Sequence, residues 1–419
     1  MKYESPYYSF FWRWHFYAGL FIFPILFVMA ITGGMYLLQP QIEDALYSDS
    51  IYLSEPYQGA IDHDALIANA TKQYSSDKIH SYQPPQNSEH SAQLVLTTKN
   101  GDKLTVFMHP SNNQVIDVVN EDWRLMNLAR AIHGGLMLGT IGELIVELVA
   151  CWTIILVISG LYLWWPRGNK QRGVFIPKLH LKGRKFWREI HSVFGAWAGL
   201  WILAIILTGL PWSVLWGDLY SKTGHAIGEG FPKAIFSERP HSTSDVTAPE
   251  VSMNKLMKTL SALNMQHDYK IDYPWFPNGV YAVMPTRHGG ASQDVAYVFL
   301  DKRSGEVIKD LRWDDLGLFG KASSLGVQFH EGRLFGSLNQ YINLFAVITL
   351  IGLSITGPIM WWKRKPKGEL GAPITKRKKP LTPIFIGFIV FLALFLPLFG
   401  LSLIFIWLGE ACYRKWSSQ

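Results

Sequence analysis

The sequence contains few cysteines and few charged residues. Only Cys151 and Cys412 occur among 419 residues, and charged residues make up 17% of the chain. Two cysteines in separate segments predict neither a disulfide framework nor a cysteine-based metal site. No Gly-x-Gly-x-x-Gly sequence occurs, which argues against a dinucleotide-binding domain within this chain. No Cys-x-x-Cys-His sequence is present for covalent haem attachment.

Hydrophobic residues, by contrast, make up 49% of the chain, and 17 residues are tryptophan. Five apolar runs are about 20 residues or longer, enough to cross a hydrocarbon core of roughly 30 Å. They lie near residues 14–38, 143–165, 190–215, 338–362 and 383–409. Because backbone polar groups in lipid need internal partners, each run predicts a membrane-spanning helix.

Lysine and arginine are concentrated in two short connections, 166–188 and 363–379, with eight in each. Cytoplasmic loops carry an excess of these residues, so both connections and the N-terminus are predicted to lie in the cytoplasm. The net charge of +7 is therefore interpreted as a topology signal and not as evidence for nucleic-acid binding. The first run is not followed by a small-x-small cleavage site, so it is expected to remain as a membrane helix.

The chain contains an internal repeat. Residues 133–167 align with residues 330–364 without a gap, and each copy begins with histidine and ends with Trp-Trp-x-Arg. Ser-Gly or Thr-Gly follows the histidine at +26 and +27 in both copies. His15 and His191 also match, because each has glycine at +4 and Thr-Gly at +17 and +18. The sequence therefore predicts two copies of one unit, in which a long insert separates two histidine-bearing helices.

The predicted fold is an α-helical integral membrane protein. Its duplicated two-helix units form a four-helix core, followed by a fifth C-terminal helix, and each insert reads as a small extracytoplasmic α+β module. The predicted segments are the N-terminus with the first helix (1–38), the first insert (39–128), the outer histidine segment with the second helix (129–165), a basic loop (166–188), the third helix (189–215), the second insert (216–325), the outer histidine segment with the fourth helix (326–362), a basic loop (363–382), the fifth helix (383–409) and the C-terminal tail (410–419).

These features resemble the PepSY-associated transmembrane family, some of whose members are haem-containing ferric-siderophore reductases. The resemblance rests on the His15 and His191 helices with their Thr-Gly pairs, on the Gly-Leu-Tyr-Leu-Trp-Trp-Pro-Arg sequence at 160–167 and on two PepSY-like inserts. It covers roughly residues 10–365 and leaves out the fifth helix. The resemblance implies a multi-pass protein of the bacterial inner membrane that takes part in iron uptake.

The four repeated histidines are the candidate metal ligands. His15 and His191 are predicted near the cytoplasmic face and form the inner pair, whereas His133 and His330 are predicted near the external face and form the outer pair. A two-fold axis along the membrane normal would bring the members of each pair together at one depth. Two neutral imidazoles suit the axial positions of a haem iron. Helix packing is an alternative for any single histidine, and zinc would need further ligands that the repeat does not contain.

Two glycines and four arginines are predicted to complete the haem sites. Gly19 and Gly195 lie one turn from the inner histidines and would let a porphyrin approach the backbone, although helix packing explains them equally well. Arginines close to each histidine in sequence could pair with haem propionates: Arg13, Arg188, Arg130 and Arg333. The positive-inside rule also explains the first two, so the last two are the better candidates. The other nine histidines show no ligand spacing and are expected on exposed surfaces.

The predicted function is transmembrane electron transfer by two non-covalent b-type haems, with a ferric siderophore as external acceptor, as the resemblance implies. The cytoplasmic loops are too short for a βαβ unit, so the electron donor is expected to be a quinol or a separate reductase. Two other classes stay open: a membrane-anchored binding or regulatory protein with a periplasmic partner, and a transporter-like component of iron or siderophore uptake. Duplicated membrane histidines argue against the first class, and apolar helix centres argue against the second.

Overall fold

The structure, a computed structural model, describes residues 7–166, 175–245, 247–263, 265, 268–286, 295–365, 371 and 382–417. It divides the chain into a helical unit and a sheet unit. The helical unit comprises Met1–Leu37, Ala129–Tyr220 and Gly326–Gln419, and the sheet unit comprises Leu38–Leu128 and Ser221–Leu325. Both inserts of the sequence therefore contribute to the same sheet unit.

Helices and strands follow one another in the order expected of two long inserts between apolar helices. The helices are α1 (Tyr8–Leu37), α2 (Gln39–Ile51), α3 (His63–Gln73), α4 (Leu125–Gly135), α5 (Gly139–Trp164), α6 (Gly183–Gly209), α7 (Leu215–Ala226), α8 (Lys233–Phe236), α9 (Met253–Ala262), α10 (Leu318–His330), α11 (Gly336–Trp362), α12 (Pro383–Phe395) and α13 (Pro397–Ser417). The strands are β1 (Ser76–Gln83), β2 (Ala92–Thr98), β3 (Lys103–Met108), β4 (Val115–Asn120), β5 (Tyr269–Asp272), β6 (Val280–Pro285), β7 (Tyr297–Asp301) and β8 (Val307–Leu311).

Among the described residues, α1, α5, α6 and α11 are each long and apolar enough to cross a membrane, and α6 continues as a span to Trp212. Their outward surfaces carry large apolar side chains, as expected where lipid replaces water. Phe21, Leu200 and Ile348 are 73%, 69% and 59% exposed, respectively. Such exposure would be costly in water, so these helices indicate a multi-pass membrane protein.

The helical unit is held together by contacts of α1 and α6, each of which packs against both α5 and α11. Small residues on the buried faces, such as Ala18 and Ala198, allow the helices to approach closely. Both residues are less than a tenth exposed. This arrangement places α1 and α6 so that side chains on each can face residues of α5 and α11.

The expectation of one continuous fifth helix over 383–409 is corrected by the structure. That segment forms α12 and α13, which are bent by 118° at Leu396. Leu396 has φ −117° and ψ 83°, outside the helical region. Proline has no N–H to donate and disfavours helical geometry in the preceding residue, so Pro397 explains the break. The two helices are together either one broken span or a re-entrant segment.

All eight strands belong to one antiparallel sheet, ordered β4-β3-β2-β1-β5-β6-β7-β8. The first four strands come from the first insert and the last four from the second. They join through β1 and β5, where Tyr82 pairs with Ile271. Apolar alternation predicts six strands, at 92–96, 103–108 and 114–118 in the first insert and at 279–284, 294–300 and 306–308 in the second, but the two central strands were not predicted. The polar sequence of β1 and the four-residue length of β5 give little strand signal.

Helices α3 and α9 pack on one face of this sheet and also cap one another. Asn254 of α9 accepts the His63 N–H at 2.8 Å, and Asp64 of α3 accepts the Met253 N–H at 2.6 Å. These bonds satisfy N–H groups that have no partner within their own helices. His63 is not an exposed surface residue as predicted, because it is buried with Nδ1 2.6 Å from the Tyr82 hydroxyl. His267 and His288 lie outside the described residues.

The turn after β7 is organised by a buried carboxylate, Asp301, which is 1% exposed. Burial alone would raise the pKa of Asp301, but hydrogen bonds to the carboxylate outweigh it and hold the pKa far below its usual value. The donors are the Ser304 and Arg303 N–H groups, at 2.9 and 2.8 Å, and the Ser244 and Ser242 hydroxyls, at 2.7 and 2.8 Å. A carboxyl whose folded pKa is depressed stabilises the fold above its unfolded pKa of about 3.9, and this contribution is lost as pH falls further.

We expect acidification from pH 5 to pH 3 to loosen β7 and β8, as measured by hydrogen exchange corrected for intrinsic rates. Asp301→Asn should lose protection in these strands already at pH 7, because an amide nitrogen cannot accept the bonds. The matched control is Asp102→Asn, an exposed carboxylate in the turn between β2 and β3. Equal loss of protection in both variants would contradict this assignment.

Candidate functional site

The structure brings the four repeated histidines together as two pairs inside the helical unit. His15 of α1 faces His191 of α6, with ring centroids 6.3 Å apart. His133 of α4 faces His330 of α10, with ring centroids 6.2 Å apart. The outer histidines therefore lie on short helices that precede α5 and α11, not on the membrane-spanning helices themselves.

The separation within each pair fits one metal ion with two axial imidazoles. A metal–nitrogen bond of about 2 Å on each side, with each ring centre roughly 1 Å beyond its nitrogen, places the centroids about 6 Å apart. The observed values of 6.3 and 6.2 Å agree with this geometry. Among the residues that the structure describes, no group of three His, Cys, Asp or Glu side chains could hold a metal ion. A group that brings its own equatorial ligands, as a porphyrin does, would need only the two imidazoles of one pair.

Hydroxyl groups hold the inner pair. His15 Nδ1 lies 2.9 Å from Ser159 Oγ of α5, and His191 Nδ1 lies 2.8 Å from Thr356 Oγ1 of α11. The Ser159 hydroxyl can donate its own hydrogen to the Leu156 carbonyl, one turn back on α5. The Thr356 hydroxyl can donate in the same way to the Leu353 carbonyl of α11. The hydroxyl oxygen is then left to accept from Nδ1–H, so Nε2 carries the lone pair of each inner ring.

Main-chain carbonyls hold the outer pair. His133 Nδ1 lies 2.9 Å from the Met29 carbonyl oxygen of α1, and His330 Nδ1 lies 2.7 Å from the Ile205 carbonyl oxygen of α6. A carbonyl can only accept, so Nδ1 must carry the hydrogen in both rings. Nε2 is therefore the unprotonated nitrogen, which is the form that binds a metal. Met29 and Ile205 occupy equivalent positions, 14 residues after His15 and His191.

Glycines line the edge of each imidazole. A Cβ atom added at Gly33 or Gly209 would lie 2.9 or 2.8 Å from Cε1 of His133 or His330. A Cβ at Gly160 would lie 3.1 Å from His15 Cε1. The first two distances are shorter than side chains tolerate, so each ring occupies space that only glycine leaves open. The repeat contains the signal for these residues, since each follows the serine or threonine of a repeated Ser-Gly or Thr-Gly pair.

The two glycines predicted to approach a porphyrin lie elsewhere on the inner helices. A Cβ at Gly19 would be 3.9 Å from Leu156 of α5, and one at Gly195 would be 3.4 Å from Leu353 of α11. Leu156 and Leu353 are equivalent residues, both 23 after an outer histidine. Gly19 and Gly195 therefore lie where α1 and α6 approach α5 and α11, the position expected of small packing residues.

The inner arginines differ in their surroundings. Arg13 is half-buried beside Tyr17, and Arg188 is exposed. A third cation, Arg364, lies 5.1 Å from the ring centroids of both Trp12 and Phe16, which flank His15 on α1. This position is favourable for a guanidinium because aromatic faces attract cations. Arg364 was missed as a candidate, although it ends the second copy of the repeat.

The outer arginines also differ from one another. Arg130 is exposed. Arg333 is half-buried, and its Nε lies 2.7 Å from a carboxylate oxygen of Glu331. The negative charge of Glu331 offsets part of the charge that Arg333 could offer to another anion. Of the two, Arg130 has the side chain that solvent reaches more fully.

One ionisable residue within a membrane helix was missed by the sequence analysis. Glu147 of α5 is 1% exposed, and its carboxylate accepts the N–H groups of Leu215 at 2.8 Å and Trp216 at 3.0 Å. These are the first residues of α7, where N–H groups have no helical partner and the helix dipole favours a negative charge. The geometry therefore gives Glu147 a capping role.

No curated protein matches the sequence. Residues 12–364 match the model of the family described as the PepSY-associated TM region. This match spans both histidine pairs, both inserts and all four long apolar helices. The protein is thus a member of the PepSY-associated transmembrane family.

Proposed function

We propose that the protein is a di-haem b-type electron carrier that reduces ferric siderophores on the periplasmic side of the bacterial inner membrane during iron uptake. The observation that supports this proposal most strongly is the pair of facing imidazoles at each of two levels, 6.3 and 6.2 Å apart. In all four rings Nδ1 has a hydrogen-bond partner, which leaves Nε2 for a metal. A protein that only anchored its inserts in the membrane would have no use for this arrangement.

The duplicated four-helix core is part of this proposal. Equivalent histidines have equivalent partners: Ser159 and Thr356 for the inner pair, and the Met29 and Ile205 carbonyls for the outer pair. A duplicated unit related by an axis along the membrane normal accounts for this correspondence. The same axis would place each haem between two copies of one helix.

A bound haem would supply reversible one-electron chemistry. The protein's own residues hold the imidazoles as neutral ligands, fix their tautomer and keep apolar side chains around them. The inner pair would be held by His15 and His191 and the outer pair by His133 and His330, with neighbouring arginines available to the propionates. Because the helix interiors are apolar, water has little access to these groups.

The direction of transfer follows from the predicted orientation. By the positive-inside rule, the basic connections predict that the inner pair lies near the cytoplasm and the outer pair near the periplasm. A ferric siderophore holds Fe(III) by hard oxygen donors, which bind Fe(II) much less well. Transfer of one electron to the external chelate would therefore convert Fe(III) to Fe(II) and release the iron. The protein would act as a ferric-siderophore reductase, an oxidoreductase.

The electron donor is proposed to be a membrane quinol, with a separate reductase as the alternative. An apolar recess lies between α1, α5, α12 and α13. Its lining is mainly aromatic and includes Trp14, Phe388 and Ser159, the residue that holds His15. Such a recess suits an apolar molecule that arrives through the bilayer.

The experiment that tests this function begins with the spectrum of the purified protein. We expect two non-covalent haems per chain, both low-spin and six-coordinate after reduction with dithionite, because each iron would have two imidazole ligands. The reduced protein should be reoxidised rapidly by a ferric siderophore. A colourless protein from cells with ample haem would rule out the proposal.

Two variants locate the acceptor. His191→Ala should keep the single reoxidation step while losing steady turnover supplied from the inner side, because the outer pair is intact. His330→Ala should lose both. If His330→Ala still reduced external ferric chelates at the parental rate, the acceptor would not react at the outer pair.

A further inference from the structure

We propose that Asn343 and Trp201 are positioning residues for His330, and that they hold this ligand in only one of the two copies of the repeat. The inference rests on the proposed function, because it takes His330 as an axial haem ligand. It concerns a polar cluster inside the helical unit that neither the repeat nor the family resemblance explains.

The need for such a cluster arises because α10 ends at His330 itself. The last carbonyl groups of a helix fall outside its regular hydrogen-bond pattern and need other partners when they are buried. The Phe329 carbonyl accepts the Gly332 N–H at 3.1 Å. The Asn343 side-chain Nδ2 of α11 donates to the Phe329 carbonyl at 2.7 Å and to the His330 carbonyl at 3.2 Å. Asn343 is 1% exposed, so water cannot readily replace it. Asn343 thus fixes the main chain of the ligand.

Trp201 determines which way the Asn343 amide faces. The Trp201 indole N–H donates to Asn343 Oδ1 at 2.7 Å, and Asn339 Nδ2 donates to the same oxygen at 3.2 Å. With two donors directed at Oδ1, the amide nitrogen must face the end of α10. The Trp201 ring also packs against Phe329, with centroids 5.0 Å apart.

Helix α6 consequently holds His330 in two ways. The Ile205 carbonyl accepts from the imidazole Nδ1 at 2.7 Å. Trp201, one turn earlier on the same helix, orients the amide that binds the His330 main chain. Fixing both the ring and the backbone removes the freedom that would let the imidazole rotate away from an iron. Partners of this kind, one step beyond the ligands, commonly control metal affinity.

The first copy of the repeat has no equivalent cluster. The residues at the positions of Trp201, Asn343 and Asn339 are Ile25, Val146 and Gly142. Both α4 and α10 end with backbone hydrogen bonds: the Leu136 N–H bonds to the Ile132 carbonyl at 2.9 Å and the Met137 N–H to the Ala131 carbonyl at 3.3 Å, and the Arg333 N–H bonds to the Gln328 carbonyl at 2.8 Å. The Asn343 amide adds side-chain bonds to the end of α10. Leu136 and Met137 have φ values of 52° and 57°, the left-handed conformation that ends a helix in this way. Of the two outer histidines, His330 is the one whose main-chain carbonyl accepts a described side-chain amide.

Three substitutions test the proposal in the full-length, haem-loaded protein. Asn343→Val introduces the residue of the first copy, and Asn343→Asp keeps an acceptor but loses the donor. Trp201→Phe removes the indole N–H and part of the ring while keeping an aromatic side chain. We expect the two Asn343 variants to lower the affinity of the outer haem about 10- to 100-fold, as loss of such partners does in metal sites. The reduced outer haem should also gain carbon monoxide binding, because its His330 ligand dissociates more easily. Trp201→Phe should show the same change to a smaller extent.

The inner haem provides an internal reference, and Trp197→Phe is the matched control. Trp197 lies one turn from Trp201 on α6 and is 47% exposed. Its variant should keep both haems unchanged. Equal loss of both haems in Asn343→Val would show general destabilisation and would overturn the positioning role. The role would also be overturned if the outer haem of this variant stayed low-spin and did not bind carbon monoxide. A parental protein without haem would instead refute the proposed function, so the two failures are distinguishable.

Discussion

Replacing His15 with alanine should remove one haem per chain and leave the other fully low-spin. His191→Ala should remove the same haem, because each inner ring would supply one of the two proposed axial bonds and the centroids lie 6.3 Å apart. Alanine has no nitrogen to coordinate iron, and no group of three metal-binding side chains is found among the described residues. The haem content of each variant, with its oxidised and reduced spectra, measures the effect.

The outer histidines provide the complementary result. His133→Ala and His330→Ala should remove the haem that the inner variants retain. The haem spectrum of an inner variant and that of an outer variant should therefore add up to the spectrum of the parent. The control is His180→Ala, since His180 is exposed and outside both pairs. If His15→Ala and His133→Ala affected one shared haem, the assignment of pairs by depth would be wrong.

The equivalence of the two copies could be predicted because the repeat has no gap, although Ser159 and Thr356 were not predicted to contact the inner histidines. Residues at equal distances from the outer histidines occupy equivalent positions, since α5 begins at Gly139 and α11 at Gly336, each six residues after its histidine. The spacing from His133 to Ser159 thus equals that from His330 to Thr356. A side chain that meets its target in one copy then meets the equivalent target in the other.

Features that depend on main-chain groups or on long-range pairing could not be predicted in this way. The Met29 and Ile205 carbonyls hold the outer rings, but any residue type has a carbonyl. The pairing of β1 with β5 joins two distant segments, and neither strand has a strong apolar pattern. The break between α12 and α13 at Pro397 was also not predicted, and proline alone does not mark such a break here, because Pro24 and Pro358 lie inside α1 and α11.

Substitution of Gly209 or Gly33 by alanine should displace an outer ligand. An added Cβ would lie 2.8 Å from His330 Cε1 in the first case and 2.9 Å from His133 Cε1 in the second. The ring would have to move, and its bond to a main-chain carbonyl would be lost with it. Alanine is otherwise favoured over glycine in a helix by about 1 kcal/mol. Helix propensity alone therefore predicts that these variants are more stable than the parent. We expect a loss of outer-haem affinity on the order of 10- to 100-fold.

The size of the effect should follow the distance from the added Cβ to the imidazole across a series of five alanine variants. Gly160→Ala, at 3.1 Å from His15, should weaken the inner haem and not the outer one. Gly357→Ala, at 3.8 Å from His191, should change little, because that is an ordinary contact distance. Gly352→Ala is the control on the same helix, since nothing lies within 4 Å of its added Cβ. Haem dissociation rates measured with an apoprotein scavenger rank the variants. If Gly352→Ala lost haem as readily as Gly209→Ala, loss of glycine itself would be responsible, and the close approach to the imidazoles would have no role in holding them.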